Sequence, residues 1–170
     1  TKVNVYVANN NDSIRAQSSS GGIFYSIAKW IIEQGGVVFG ARFNDKWEVV
    51  HDYCETEEGI QLFMRSKYVQ SSVGSTFIQT KQFLQGGRWV LYTGTPCQIE
   101  GLKSYLKDEY DRLLTIDFIC HGVPSPGIWR KFLSEFFPKS YSITNIDFRD
   151  KCNGWHKLTT RINSIDIESN

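Results

Sequence analysis

Trp89-Val90-Leu91-Tyr92-Thr93, then Gly94-Thr95-Pro96-Cys97-Gln98, and further on Leu113-Leu114-Thr115-Ile116-Asp117-Phe118-Ile119-Cys120, make up the stretch that decides the fold. The first run is apolar without alternation and reads as a strand buried on both faces. Thr95 suits a helix N-cap, Pro96 the first helical position, and Gln98 completes a Thr-x-x-Gln capping box, so Pro96 to Lys107 reads as a helix. Leu113 to Cys120 reads as a second buried strand. A strand, a helix and a strand of these lengths form a β-α-β unit, with parallel strands and a right-handed crossover. The class that follows is α/β: a mixed sheet with a parallel β-α-β core flanked by helices.

Working outward, Val3 to Ala8 alternates and reads as a strand, followed by a polar loop from Asn9 to Ser20. Gly21 to Gln34 carries Ile23, Ile27, Trp30 and Ile31 at helical spacing, and Gly35-Gly36 ends it. Val37 to Phe43 and Trp47 to Tyr53 read as strands joined by a turn at Asn44-Asp45. Glu57 to Met64 reads as a short helix and Val73 to Gln85 as a longer one closed by Gly86-Gly87. Pro126 to Phe137 reads as a helix with Ile128, Phe132 and Phe136 on one face. Ile143 to Phe148 and His156 to Ile162 read as later strands. No internal repeat or linker interrupts residues 1–170, which read as a single domain.

The chain has 170 residues, 41% hydrophobic and 14% aromatic, the composition of a globular domain able to bury a core. A net charge of +1 with no basic stripe gives no reason to expect nucleic acid. No apolar run approaches the roughly 18 residues of a membrane span, and no signal peptide is visible. Cys54, Cys97, Cys120 and Cys152 include no Cys-x-x-Cys and suggest no disulfide framework. A cytoplasmic setting is expected. The chain opens at Thr1 in a strand-like run and its one methionine is Met64, so it reads as a piece of a longer protein.

The chemistry centres on two cysteines. Cys97 falls in the first turn of a helix, where unpaired N–H groups and the helix dipole favour a thiolate. It lies just past the carboxyl end of one parallel strand and Cys120 lies at the carboxyl end of the other, the edge where open α/β sheets bind ligands. Three roles fit the pair: soft ligands for an iron–sulfur cluster or zinc, a nucleophile with His121 as base, or buried structural thiols. Cys54 and Cys152 have no comparable setting and read as structural. Ser18-Ser19-Ser20-Gly21-Gly22 precedes a helix and suits either phosphate binding or simple capping. Arg65-Ser66-Lys67-Tyr68 suits an anion or a planar ring, or equally a solvated loop. Arg149 and Lys151, in a charged hairpin-like segment, could reach an anionic ligand.

Taken in order, Ser19-Ser20-Gly21-Gly22-Ile23-Phe24, Ser66-Lys67-Tyr68-Val69-Gln70-Ser71, Gly94-Thr95-Pro96-Cys97-Gln98, Cys120-His121-Gly122-Val123-Pro124-Ser125 and Phe148-Arg149-Asp150-Lys151 with Gly154-Trp155 resemble one family. It is the coenzyme F-420 (deazaflavin) hydrogenase and dehydrogenase beta subunit family, in a version similar to its bacterial members. The resemblance implies an electron-transferring flavoprotein that binds FAD beside a 4Fe-4S cluster. It implies that Ser20, Gly21, Gly22, Lys67, Tyr68 and Thr95 line the FAD site and that Cys97 and Cys120 are cluster ligands. The other ligands would come from a Cys-x-x-Cys further toward the C-terminus, which this sequence lacks, and the electron partners would be a ferredoxin-like domain or subunit and a small-molecule substrate. A catalytically silent interaction domain and a thiol enzyme using Cys97 are the competing functions.

Overall fold

The computed structural model describes residues 4–138, 141–154, 157 and 159–166. Its main sheet has four strands, β1 (Val37–Phe43), β2 (Val49–Cys54), β3 (Val90–Gly94) and β4 (Leu113–Asp117), in the order β2-β1-β3-β4. β1 pairs parallel with β3, and β3 parallel with β4 in a register that sets Val90 opposite Leu113 and Gly94 opposite Asp117. β2 returns antiparallel beside β1, which makes the sheet mixed. The α/β class and the parallel β-α-β core are as the sequence predicts.

Helices cover both faces, as the unalternating strands require. Val37, Phe39, Val90 and Tyr92 point to one side, where they pack against Leu84 of α4 (Thr76–Gln85) and Ile99, Leu102 and Leu106 of α5 (Pro96–Leu106). Val38 and Leu91 point to the other, against Ala28 and Ile31 of α2 (Ile23–Glu33) and Ile60 of α3 (Glu57–Ile60). A single 3₁₀ turn, Gln61–Phe63, extends α3 and closes on β1: a Cβ on Gly40 would lie 2.9 Å from the Phe63 ring, so glycine is what admits it.

A second, two-stranded antiparallel sheet is formed by β5 (Tyr141–Asp150) and β6 (Thr159–Asp166). It joins α6 (Pro126–Phe136) in a third apolar cluster of Val49, Val69, Trp129 and Ile146, and the Trp129 indole donates to Trp47 O at 2.7 Å.

Four readings need correction. The expected strand Val3–Ala8 does not form over residues 4–8, where no sheet edge offers it a partner; Val5, Tyr6 and Val7 stand exposed (Val3 lies outside the described residues). The expected Asn9–Ser20 loop contains a short helix, α1 (Asp12–Ala16), started by Asn11, whose side chain accepts from Ile14 N. The strand expected to run to Cys120 stops at Asp117, because β3 turns into α5 after Gly94 and leaves nothing to pair with. On α6 the buried face is Trp129 with Leu133, one residue round from the expected Ile128, Phe132 and Phe136, which remain exposed. Trp155, His156 and Leu158 lie outside the described residues. No helix among the described residues is long and apolar enough to cross a membrane.

Leu91 and Leu114 sit opposite one another on the same face of neighbouring strands, yet Leu91 is fully buried and Leu114 is 36% exposed. Leu91→Ala should cost about 2–5 kcal/mol in denaturant unfolding and Leu114→Ala less than about 1 kcal/mol. Equal losses would mean that β4 is not the edge of the sheet.

Candidate functional site

Three segments far apart in sequence converge on one cleft of about 270 Å³, walled by Ser18, Ser19, Arg65, Asp147, Arg149 and Lys151 together with Ala16, Asp150, Cys152 and Arg161. Four cations face two carboxylates there, so the cleft favours an anion. Asp147 is nearly fully buried; it is paired with the Arg65 guanidinium and accepts from Arg149 N at 2.9 Å. Arg65 is held at φ +67, a left-handed conformation unusual for a residue with a side chain, and its Nε donates to Gln17 O at 3.3 Å. Strain of roughly 1–3 kcal/mol of this kind persists only where surrounding contacts impose it.

The hairpin aims its charges by an irregularity. Asp147 pairs with Arg161 and Asp150 with Thr159, so β5 carries one residue more than β6 between those pairs. A bulge of this sort redirects side chains. Arg149 emerges from it with its Nε buried and without a hydrogen-bond partner among the described residues. A buried guanidinium nitrogen normally has an acceptor, so the cleft lacks one. Lys151 donates to Arg15 O at 2.7 Å and to Ser18 O, which ties the hairpin to the serine-rich loop. Burial, then the charges of Arg65, Arg15 and Arg149, push its ammonium below the ordinary lysine range.

The expected FAD residues distribute unevenly around this cleft. Ser18 and Ser19 line it, whereas Ser20 is exposed and outside the lining. Ser19 Oγ accepts from Ser66 N at 2.8 Å and joins the two loops. Gly21 and Gly22 are approached by the chain itself: Gly21 O accepts from Asn10 N at 2.7 Å, and a Cβ on Gly22 would lie 3.1 Å from Ile14 and 3.2 Å from Ser18 Oγ. Lys67 turns its ammonium onto the carbonyls of Leu62, Met64 and Arg65 at 3.0, 2.6 and 3.4 Å. Burial, with Arg65 beside it, pushes its pKa down to about 7. Tyr68 is 44% exposed and meets Phe148 edge-on at 5.7 Å, next to Arg149.

Cys97 and Cys120 follow the aligned strand ends Gly94 and Asp117 by three residues each, and both are exposed. Sequence topology thus brings both to the carboxyl edge. Cys97 Sγ lies 3.1 Å from Thr95 Oγ1, and Gly122 N donates to Cys120 Sγ at 3.4 Å. No group of three or more His, Cys, Asp and Glu side chains suited to a metal forms among the described residues. Cys54 is half-buried in the α2-side core and burial pushes its thiol up to about 11, in keeping with a structural role. Cys152 differs from expectation: it is exposed and lines the cleft.

Sequence reading has His51 alternating within a strand, half buried, and gives it no role. The residue is buried, stacked on Tyr92 with ring centroids 5.4 Å apart, with Nε2 2.9 Å from Thr93 O and Nδ1 2.8 Å from Ser71 Oγ. Gln70 N also donates to Pro124 O at 3.0 Å, so the segment after Tyr68 ties the cleft side to the cysteine edge. The only signal in the sequence is a polar residue on the inward side of an alternating strand.

Residues 87–169 match the family model described as the C terminus of the coenzyme F420 hydrogenase/dehydrogenase beta subunit. Among solved structures, a chain in the xenon-derivatised F420-reducing nickel–iron hydrogenase complex from Methanosarcina barkeri is similar at TM-score 0.62 and 15% identity. The match covers 95% of this chain and 59% of that one, and the likeness is one of fold. No curated protein matches.

Two outcomes follow. Gly22 has φ +79, so Gly22→Ala should destabilise by about 1–2 kcal/mol through strain in thermal unfolding, whatever the cleft binds. Burial holds the His51 imidazole below its ordinary range, against the bond to Thr93 O. Its neutral form therefore contributes fully above the unfolded value near 6.5, and that contribution is lost as pH falls through the folded value. Denaturant unfolding should show wild type losing more stability than His51→Gln on acidification from about pH 7 to about pH 5; parallel losses would refute it.

Proposed function

We propose that this chain, whose residues 87–169 match the coenzyme F420 hydrogenase/dehydrogenase beta subunit family model, is a member of that family and an electron-transferring oxidoreductase domain holding FAD by its diphosphate. The observation that carries the reading is the cationic cleft itself, with the buried Arg149 Nε lacking an acceptor among the described residues. Phosphate oxygens supply the acceptors that a guanidinium fork lacks. The cleft volume suits a diphosphate rather than a whole dinucleotide. Arg65, Arg149 and Lys151 would hold it, with Ser18 and Ser19 at the wall. Tyr68, half exposed beside Phe148, offers a flat face for a ring system. When bound, the flavin supplies the hydride and electron chemistry.

Lys67, Gly21 and Gly22 act in this reading by shaping the two loops, since their own contacts are internal. Cys97 and Cys120 are proposed as two thiolate ligands of an iron–sulfur centre, with Thr95 beside the first. Four thiolates are the usual requirement. Two come from the described residues, so the centre is completed by ligands from elsewhere, and a ferredoxin-like domain or subunit and a small-molecule substrate serve as electron partners. The thiol-enzyme alternative lacks a base: Cys97 bonds to Thr95, and no hydrogen bond joins it to His121 among the described residues.

In FAD titrations of the full-length protein, Arg149→Ala should weaken binding about ten- to a hundredfold, the loss of roughly 1.5–3 kcal/mol from a charge-assisted contact. Unchanged affinity in both Arg149→Ala and Arg65→Ala would remove the cleft from the flavin site. Iron content should drop in Cys97→Ser and Cys120→Ser and stay unchanged in Cys54→Ser.

A further inference from the structure

The hydrogen bonds around His51 have a single consistent direction. Thr93 O is a carbonyl and can only accept, so His51 Nε2 carries the proton that spans the 2.9 Å contact. In the neutral ring Nδ1 is then an acceptor, and Ser71 Oγ–H donates to it over 2.8 Å. With its proton committed, Ser71 Oγ accepts from Gln98 Nε2–H at 2.9 Å. Fixing the amide nitrogen on Ser71 turns Gln98 Oε1 toward Thr95 N, which donates to it at 3.0 Å. Thr95 Oγ1 in turn lies 3.1 Å from Cys97 Sγ, and a thiolate there can only accept from the hydroxyl.

A second observation comes from Gly94. Its φ is not in the left-handed region, so glycine is not needed for conformation. A Cβ there would lie 2.9 Å from Gln98 Oε1 and 3.5 Å from His51 Nε2. Glycine is needed for space, and the space is filled by two members of this chain of bonds. Tyr92 helps from below: its ring stacks on His51, and its hydroxyl donates to Thr76 Oγ1, which donates to Val73 O. The stretch 71–76 is thereby pinned at both ends.

We infer that His51 is the positioning residue of the Thr95-Pro96-Cys97 turn, acting through Ser71 and Gln98 to set the Thr95 amide and, with it, the hydroxyl that faces the Cys97 sulfur. The functional meaning of that turn rests on the reading of Cys97 as a ligand, whereas the positioning itself does not. Gln98 thus has two tasks: it caps α5 and it reports the state of a strand two places away in the sheet.

The experiment uses the chain as it stands. Nitrogen NMR of the labelled imidazole should find the Nε2-protonated neutral tautomer at neutral pH; the Nδ1-protonated tautomer would overturn the direction of the chain. Amide exchange at Thr95 should quicken about tenfold in Ser71→Ala and in His51→Phe, the loss of roughly 1.4 kcal/mol of hydrogen bonding, and stay near wild type in His51→Gln, which keeps a donor and an acceptor. Exchange at Leu91 should be unchanged throughout, which separates a local effect from a loss of fold. If His51→Phe does not fold, Ser71→Ala decides. Unchanged Thr95 exchange in Ser71→Ala overturns the inference; loss of iron or flavin binding would bear on the proposed function alone.

Discussion

Val37, Val38 and Phe39 in β1 and Val90, Leu91 and Tyr92 in β3 are all without solvent exposure, although successive side chains point to opposite faces. Two adjacent strands buried on both sides require helices on both sides, and each such side chain contributes about 1.5–3 kcal/mol only if the layer on its own face is in place. α2 and α3 supply one layer, α4 and α5 the other. Because β1, β3 and β4 run parallel, their carboxyl ends share one edge, and the segments that leave β3 and β4 there carry Cys97 and Cys120.

Residues 65–72 connect the two parts of the candidate site. At one end Arg65 and Ser66 hold the hairpin and the serine-rich loop through Asp147 and Ser19. At the other Ser72 pairs with the outer edge of β2, where His51 N donates to Ser72 O at 2.8 Å, while Ser71 Oγ donates to His51 Nδ1 and accepts from Gln98 Nε2. One short segment thereby reaches from the cationic cleft to the Cys97 turn.

Much of this was legible in residue order. The apolar, unalternating runs at residues 90–93 and 113–116, with a capping box between them, lead to parallel strands and a helix whose first turn holds Cys97. The loops that form the cleft were legible only as separate motifs of ambiguous meaning. Ser18, Arg65 and Arg149 are far apart along the chain, and no local pattern says that a bulge after Asp147 will turn Arg149 inward. The role of His51 was illegible for a related reason: its place in an alternating strand was readable, but its partners at residues 71 and 93 come from other elements. On α6, two overlapping apolar stripes compete, and Trp129 won through an indole bond to Trp47 O that a helical pattern cannot register.

What the sequence by itself determined is the material whose causes are local: strand and helix type, the cap at Thr95, and the parallel crossover that sends Cys97 and Cys120 to one edge. Tertiary structure alone decided where the charges meet. It turned Lys67 onto backbone carbonyls, filled the space over Gly21 and Gly22 with the chain's own residues, and left the buried Arg149 Nε without an acceptor among the described residues. The physical reason is that periodicity and capping act over a few residues. Ion pairing and desolvation depend instead on which distant groups the closed sheet brings within a few ångströms of one another.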